Sequence, residues 1–463
     1  MNDQKPKTNK ADPRRLALRV LVRMDDSAGD GEPTGGGYSN LLLDAAIRES
    51  GIDAAPADRA LLTLLVNGVT ERRLTLDAII ARFSSRPLNT LDDDVRCILR
   101  LGIYQLRYAD RIPPHAAINE TVALAKQSCR GYVNAVLRAY LRDGCADLCA
   151  GKNIYRDMAV TYSVPRELCR KLCDVYGEER ARAICEASHS APELTLRVNT
   201  LRTDRDALLA LLRAEGFDAV PTAYSPFGIR ISHGGGIPAA VRDGLAFVQD
   251  ESSQLCALAL SAGAGDRVLD ACACPGAKSF SAAMTMRNEG SITACDLHDS
   301  KLPLITSGAE RLGISIIRTV CRDSSAADEG MAGSFDRVLC DVPCSGFGVM
   351  AKKPEIRYRP LADAAALPEL QYRILCASAR ALRPGGVLVY STCTILPEEN
   401  EQNARHFLAE HPDFEPFPFV FEASDGSPAL RADDGWLSLT HTADYAGDGF
   451  FISRFIKKED TAS

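Results

Sequence analysis

The stretch RVLDACACPGAKS at positions 267–279 decides the fold that the sequence predicts. Arg267 to Ala271 has the apolar character of a short buried strand, and a helix is predicted to follow the turn and to continue through Met286. The small residues between them let a ligand approach the backbone, and the helix N-terminus supplies free N–H groups. The turn matches neither GxGxxG nor a GxxxxGK[ST] phosphate loop. A strand, a tight turn and a helix in this order predict the start of an α/β sheet with a ligand site at its carboxyl edge.

More strands of the same kind follow along the chain. They are predicted at Ser291 to Cys295, Ile316 to Cys321, Phe335 to Cys340, Val387 to Tyr390 and Phe450 to Ile456. Strands that alternate with helices are typical of a mostly parallel, doubly wound sheet, so this part of the chain is predicted to be a Rossmann-like α/β domain.

Acidic residues follow three successive strands at Asp296, Asp323 and Asp341. Each of them alone could be a turn former or a helix cap. Together they indicate a nucleotide-like ligand, because Asp296 is placed to accept both hydroxyls of a ribose and Asp323 could accept an adenine amino group. Since no phosphate-clamping pattern is present, the sequence favours S-adenosylmethionine over NAD or ATP.

Two cysteines also follow predicted strands. Cys344 lies in DVPCSG at 341–346, and Cys393 lies in YSTCT at 390–394. Because the carboxyl ends of parallel strands meet at one edge of a sheet, we expect the two thiols to share an active site. Their spacing alone does not decide which of them is the nucleophile.

The first third of the chain has a helical pattern. Apolar residues recur at helix spacing from Arg14 onward, a glycine-rich loop is predicted at Gly29 to Gly37, and Asp58 is predicted to cap a helix from Arg59 to Arg82. Further helices are predicted at Leu91 to Tyr108, Ala117 to Ser128 and Gly131 to Arg142.

The sequence therefore predicts a multi-domain protein. Its predicted parts are a disordered tail at 1–13, an all-α domain at 14–145, a small α+β module at 146–250 and the Rossmann-like domain at 251–459.

The composition narrows the class of protein. The 463 residues carry a formal net charge of −7. A nucleic-acid-binding protein typically has a strong excess of basic residues, which this chain lacks. RNA contacts would therefore come from local basic patches. Candidate patches, each of which could equally be solvated surface, are Arg72 with Arg73, Arg130 with Arg138 and Arg142, and Lys352 with Lys353, Arg357 and Arg359.

The sequence has neither the pattern of a membrane span nor that of a signal peptide, so a cytoplasmic protein with no membrane partner is expected. In that compartment the 16 cysteines are expected to be reduced. They lack the paired spacing of a zinc site, so no metal is expected.

Several segments carry a family resemblance. DACACPGAKS at 270–279, CDVPCSGFGV at 340–349 and YSTCTILPEENEQN at 390–403 resemble motifs I, IV and VI of the RNA cytosine-C5 methyltransferases. VQDESSQL at 248–255 and LRVNTLRT at 196–203 resemble the family's lead-in and preceding module. INETVALAK at 118–126 and RGYVNAVLR at 130–138 resemble the RNA-binding antitermination factor NusB. The combination covers nearly the whole chain and is similar to the RsmB (Sun) group of small-subunit rRNA methyltransferases.

The resemblance implies a role for each motif residue. Cys393 is the implied nucleophile and Cys344 the second thiol, which assists release of the product. Asp341, if protonated, could donate a hydrogen bond to N3 of the base, and Lys278 could orient groups electrostatically. The implied S-adenosylmethionine-binding residues are Cys272, Ala273, Cys274, Pro275, Gly276, Ala277, Lys278, Asp296, Asp323 and Asp341.

Motif I departs from the family pattern at three positions. Cys274, Ala277 and Ser279 stand where the family usually has Ala, Gly and Thr. If the position of Ala277 needs a positive φ, its Cβ costs on the order of 1 kcal/mol, which would weaken cofactor binding.

The implied activity is methylation of C5 of an unpaired or flipped cytosine in 16S rRNA. One alternative is a cytosine-C5 methyltransferase that acts on tRNA or another RNA. Another is a NusB-like RNA-binding factor whose methyltransferase domain is catalytically weak. The oligomeric state is open, with a monomer as the expectation.

Overall fold

The computed structural model describes residues 12–27, 38–52, 55–143, 148, 151, 153–191, 193–232 and 236–459. The chain forms two compact units, Met1–Ser190 with Met350–Leu361, and Ala191–Val349 with Ala362–Ser463. The predicted glycine-rich loop lies outside the described residues, and so does the predicted disordered tail except for Asp12 and Pro13.

The first unit is built from helices around one apolar core. Leucine, isoleucine and valine side chains that recur at helical spacing pack together in it, as expected for amphipathic helices. Among the described residues, none of the helices combines the length and apolar content that a membrane span requires. The helices are α1 (Pro13–Ser27), α2 (Tyr38–Ser50), α3 (Pro56–Glu71), α4 (Arg73–Phe83), α5 (Asp93–Tyr108), α6 (Pro114–Leu124), α7 (Arg130–Asp143), α8 (Ile154–Tyr162), α9 (Arg166–Tyr176) and α10 (Glu178–Ala187).

The single helix predicted from Arg59 to Arg82 is wrong, because α3 ends before Arg72 and α4 starts after it. The amide of Leu74 donates to the Ser163 hydroxyl at 2.9 Å, which satisfies one of the donors that a helix start leaves open. The predicted cap at Asp58 is also wrong. Pro56 opens α3, and Asp58 lies in its first turn, where a carboxylate is favourable for the helix dipole.

Arg357 lies in the later segment of the first unit and is fully buried. Its guanidinium donates to the carbonyl oxygens of Pro354, Glu71 and Ser188 at 3.1, 3.2 and 3.0 Å. An enclosed guanidinium cannot reach a phosphate group, so the predicted RNA-contacting role of Arg357 is wrong. Arg138 on α7 is exposed, and its RNA-contacting role stays a prediction.

The second unit begins with a small antiparallel sheet in the order β2-β3-β1-β4, which confirms the predicted α+β module. Leu196 and Val198 of its central strand pack against leucines of the helix that follows. The elements are β1 (Leu194–Val198), α11 (Arg205–Ala214), β2 (Ala219–Pro221), β3 (Gly228–Ile231), α12 (Ala239–Arg242) and β4 (Ala246–Val248).

The rest of the second unit is an α/β domain around one large sheet. Its strands are β5 (Arg267–Asp270), β6 (Ser291–Asp296), β7 (Ile317–Cys321), β8 (Phe335–Asp341), β9 (Leu382–Thr392), β10 (Phe414–Pro416), β11 (Phe419–Phe421), β12 (Leu430–Ala432), β13 (Trp436–Leu439) and β14 (Phe450–Lys457). Its helices are α13 (Glu251–Ala259), α14 (Ala277–Thr285), α15 (Leu302–Leu312), α16 (Leu361–Ala365), α17 (Leu367–Ala381) and α18 (Glu401–Glu410).

The large sheet has the order β10-β14-β9-β8-β5-β6-β7, and β13 also pairs with β14. Strands β5 to β9 are parallel, which confirms the prediction, whereas β14 is antiparallel to β9. Both faces are covered: Val389 packs into one apolar core, and its neighbours Leu388 and Tyr390 pack into another. Such burial explains the continuous apolar runs in the sequence.

Candidate active site

The turn between β5 and α14 requires a glycine at position 276. Gly276 has φ +108°, and a Cβ on it would lie 2.6 Å from the Phe280 ring. Ala277 is the first residue of α14, so the positive φ falls on Gly276. The free-energy cost of a Cβ at a positive φ, considered for Ala277 from the sequence, therefore does not arise.

Asp270 ends β5 beneath this turn and is almost completely buried, at 1% exposure. Its carboxylate accepts a hydrogen bond from the Ser279 hydroxyl at 2.6 Å. Burial raises the pKa of Asp270 to about 6 from its ordinary 3.8, although the Ser279 bond opposes the shift.

This shift predicts a pH-dependent effect of Asp270→Asn. The folded pKa is raised, so Asp270 does not oppose folding below pH 3.8, and stability is lost as the pH rises through about 6. We expect the stability of the variant relative to wild type to rise by about 2 kcal/mol between pH 4 and pH 7.5, measured by denaturant unfolding. The exposed control Asp434→Asn should not show this gain. A difference for Asp270→Asn that is the same at both pH values would contradict the prediction.

The predicted nucleotide-binding acids lie at neighbouring strand ends. Asp296 is the last residue of β6, and its Oδ1 accepts from the His298 amide at 2.9 Å. Asp323 follows β7 and is exposed, and hydrogen bonds from the Ser325 hydroxyl and amide lower its pKa. Carboxyl groups at these two positions fit the hydroxyls of a ribose and an exocyclic amine, which are the donors that S-adenosylmethionine offers.

Lys278 and Asp341 form an ion pair at the same edge. Lys278 Nζ lies 2.6 Å from Asp341 Oδ2, and the Ser391 hydroxyl donates to Asp341 Oδ1 at 2.8 Å. Burial disfavours the ammonium group, but the neighbouring Asp341 carboxylate outweighs it and raises the pKa of Lys278. Both oxygens of Asp341 accept hydrogen bonds here, which differs from the donor role considered from the sequence.

The two predicted thiols are in contact. Cys344 Sγ lies 3.2 Å from Cys393 Sγ, and the Cys393 amide donates to Cys344 Sγ at 3.3 Å. The loops that carry them leave β8 and β9 at the paired residues Asp341 and Ser391. The hydrogen bond to Cys393 and burial both raise the pKa of Cys344. The raised pKa favours the thiol form of Cys344.

A buried carboxylate near the thiols was not predicted from the sequence. Glu399 is 1% exposed and accepts hydrogen bonds from Ser345 and Gln371. It belongs to the LPEEN part of the third motif, where the run of acids resembles solvated surface. One feature of the sequence could have indicated polar partners near the thiols. A hydroxyl residue directly follows each cysteine: Ser345 follows Cys344, and Thr394 follows Cys393.

The sheet order separates two groups of residues. The thiols and the Lys278–Asp341 pair lie at the ends of β8 and β9, whereas Asp296 and Asp323 lie at or beyond the ends of β6 and β7. The turn from Cys272 to Gly276 follows β5, the strand between β8 and β6. A bound ligand can thus lie along one half of the edge and present a group to the other half.

Comparison with known proteins identifies this arrangement. Residues 257–456 match the model of the 16S rRNA methyltransferase RsmB/F, residues 164–237 the ferredoxin-like domain of RsmF/B-like methyltransferases, and residues 11–142 the NusB family. A Bacillus subtilis protein described as a probable ribosomal RNA small subunit methyltransferase B is 37% identical over 96% of this chain and 98% of its own length. The chain belongs to the RsmB/F family.

A second relative and a solved structure support this family assignment. A Synechocystis protein with the same description is 33% identical over 96% of this chain and 98% of that protein. The crystal structure of a methyltransferase homolog protein from Pyrococcus horikoshii is 28% identical with a TM-score of 0.57, and it covers 66% of this chain and 98% of that one. As a member of the RsmB/F family, the protein is an S-adenosylmethionine-dependent RNA methyltransferase. The predicted fold class and cofactor are confirmed.

Proposed function

We propose that this protein methylates C5 of one cytosine in 16S rRNA through a covalent bond between Cys393 and C6 of the base. The observation that carries the proposal is the contact of two thiols, 3.2 Å apart, on the loops after adjacent parallel strands. Methylation of a base nitrogen or of a ribose hydroxyl needs no such pair, because those atoms already have lone pairs that can accept a methyl group.

C5 of cytosine is a poor nucleophile, and this determines what the chain must supply. Addition of a thiolate to C6 converts the ring into an enamine, whose C5 is nucleophilic. S-adenosylmethionine, when bound, supplies the methyl group from its sulfonium sulfur. The protein then has to remove the C5 proton so that the ring and the thiolate are both restored.

The assignment of the nucleophile follows the motif resemblance, which implies Cys393 as the attacking thiol and Cys344 as the second thiol. The two sulfur atoms are 3.2 Å apart, so one can act on the base while the other is in reach of the same ring. The hydrogen bond to Cys393 and burial raise the pKa of Cys344, which supports a thiol at that position at the start of the reaction.

The release step follows from the same bond. Once Cys393 is bonded to C6, its hydrogen bond no longer raises the pKa of Cys344, and Cys344 can lose its proton to water. The Cys344 thiolate then takes the proton from C5, the C5–H electron pair re-forms the C5–C6 double bond, and the C6–S bond breaks. Cys393 leaves as a thiolate, Cys344 is a thiol again, and one proton is released per methyl group transferred.

We propose that Asp341 and Lys278 hold the base. The Asp341 carboxyl group can accept from the exocyclic amino group of cytosine, and the Lys278 ammonium can donate to N3 or O2. Such donors stabilise the charge that develops on the ring when the thiolate adds.

We also propose that S-adenosylmethionine is bound by the turn from Cys272 to Lys278 together with Asp296 and Asp323, and that Asp341 lies beside it. The NusB-like helical domain, predicted at residues 14–145, is proposed to bind RNA around the target. The target cytosine is unpaired or flipped, since C6 is not accessible inside a helix. We expect a cytoplasmic monomer.

Bisulfite sequencing of total RNA from cells with and without the gene tests this function. We expect one cytosine of 16S rRNA to resist deamination in the wild type and to be deaminated in the deletion strain. The wild-type gene should restore resistance, and a gene with Cys393→Ser should not. A change confined to tRNA would reject the proposed substrate, and no change at any cytosine would reject the proposed reaction.

A further inference from the structure

Glu399 lies in the turn between β9 and α18 and bonds to both sides of the loop that carries Cys344. Its Oε2 accepts from the Ser345 amide at 2.9 Å, and its Oε1 accepts from the Ser345 hydroxyl at 2.5 Å. Gln371 Nε2 donates to Glu399 Oε2 at 2.8 Å and also to the carbonyl oxygen of Pro343 at 2.9 Å. The residues directly before and directly after Cys344 are therefore attached to one buried carboxylate.

The same turn reaches the residues that flank Cys393. The Ser345 hydroxyl lies 2.6 Å from Thr394 Oγ1, and the neighbouring Asn400 bonds to Thr392 Oγ1 at 2.6 Å and to the Thr394 carbonyl at 3.0 Å. Ser345, Thr394 and Thr392 are fully buried, so water does not compete for these bonds. A buried network in which each member bonds to at least one other holds a single arrangement of the loops.

We propose that Glu399 is a positioning residue for product release, which holds Cys344 at the distance from Cys393 that the second half of the reaction needs. This inference rests on the proposed function. The carboxylate bonds to Ser345 and Gln371, and it positions Cys344 through them. The attacking thiol is bonded to the base during release, so Cys344 alone has to be held in reach of C5.

The consequence is different for the two halves of the reaction. Attack on C6 depends on Cys393, which directly follows Thr392, the last residue of β9. Release depends on Cys344, which lies three residues beyond the end of β8 and directly before Ser345, a hydrogen-bond partner of Glu399. Loss of the Glu399 acceptor should therefore slow release more than attack.

The test compares the first turnover with steady-state turnover of Glu399→Ala on an RNA that the wild type methylates. We expect the single-turnover methyl transfer rate to stay within about threefold of wild type, while steady-state turnover falls by roughly 10- to 100-fold, as loss of about 1 Å in placement can cause. Covalent protein–RNA adduct should accumulate on a denaturing gel. Equal loss of both rates without adduct would overturn the proposal.

Three further variants separate position from charge and from folding. Glu399→Gln keeps an acceptor for the Ser345 amide and should restore release to near the wild-type rate; adduct equal to that of Glu399→Ala would overturn the positional role. Glu401→Ala, a matched control two residues along, should not accumulate adduct.

Ser345→Ala removes one hydroxyl of the network and replaces Glu399→Ala as the test if that variant does not fold. It should accumulate adduct in lower yield than Glu399→Ala. If Ser345→Ala accumulated no adduct, the proposal would be overturned.

The wild type separates this inference from the proposed function. If wild-type protein forms no 5-methylcytosine, the proposed function fails. If the wild type forms it and Glu399→Ala releases its product normally, the positioning role alone fails.

Discussion

Cys393→Ser is expected to abolish methylation, with a loss on the order of 10⁴- to 10⁶-fold in turnover, the range seen when a nucleophile is removed. A serine hydroxyl is hardly ionised near neutral pH, so it does not add to C6, and C5 does not become nucleophilic. The substitution changes one atom in a partly exposed side chain, so the fold and the binding of S-adenosylmethionine should be kept. Transfer of a labelled methyl group to RNA measures the loss, and calorimetry with the cofactor checks the binding.

The matched control is Cys321→Ser, which changes an exposed thiol at the end of β7. It should retain wild-type activity. Residual methylation by Cys393→Ser above about 10% of wild type would contradict the assignment, because no covalent route through position 393 would then be needed.

Cys344→Ala is expected to trap the covalent adduct. Attack by Cys393 and methyl transfer still occur, but the thiolate that removes the C5 proton is missing, so the C6–S bond persists. We expect about one methyl group transferred per protein molecule, followed by a fall in steady-state turnover of at least about 100-fold. The measurement is a protein–RNA band that survives denaturing electrophoresis.

The double variant Cys344→Ala with Cys393→Ser is the control for this trap. It should form no band, because it lacks the attacking thiol. If Cys344→Ala gave no adduct and Cys393→Ala did, the roles of the two thiols would be reversed.

Local patterns in the sequence were enough to predict the parallel strands β5 to β9 and the residues that follow them, but not the short strands β10 to β13. The apolar runs before Asp296, Asp341 and Cys344 reflect burial on both faces of a parallel sheet, which is a property of each segment by itself. The carboxyl-edge rule then brings the two thiols together, and the sulfur atoms are 3.2 Å apart.

Features that depend on distant partners could not be predicted in this way. The helix break at Arg72 places Leu74 where its amide bonds to Ser163, 89 positions further along. The burial of Arg357 depends on carbonyl groups that lie 169 to 286 positions earlier in the chain. Both residues have ordinary local sequence contexts, so helix propensity and charge alone favoured the wrong interpretation.

Glu399 shows the same limitation at the active site. Its partners Gln371 and Ser345 are 28 and 54 positions away, and an acid among other acids is usually exposed. The contacts of Asp341 likewise depend on Lys278, 63 positions earlier, and on Ser391, 50 positions later. The motif predicted which residues meet, but the hydrogen bonds between them depend on the folded arrangement.

The most direct test of the central claim is peptide mass spectrometry of the adduct formed by Cys344→Ala. After digestion of protein and RNA, the account predicts a methylated cytidine nucleotide attached to the peptide that contains Cys393. Attachment to another residue, or a methylated base with no attached peptide, would contradict the account.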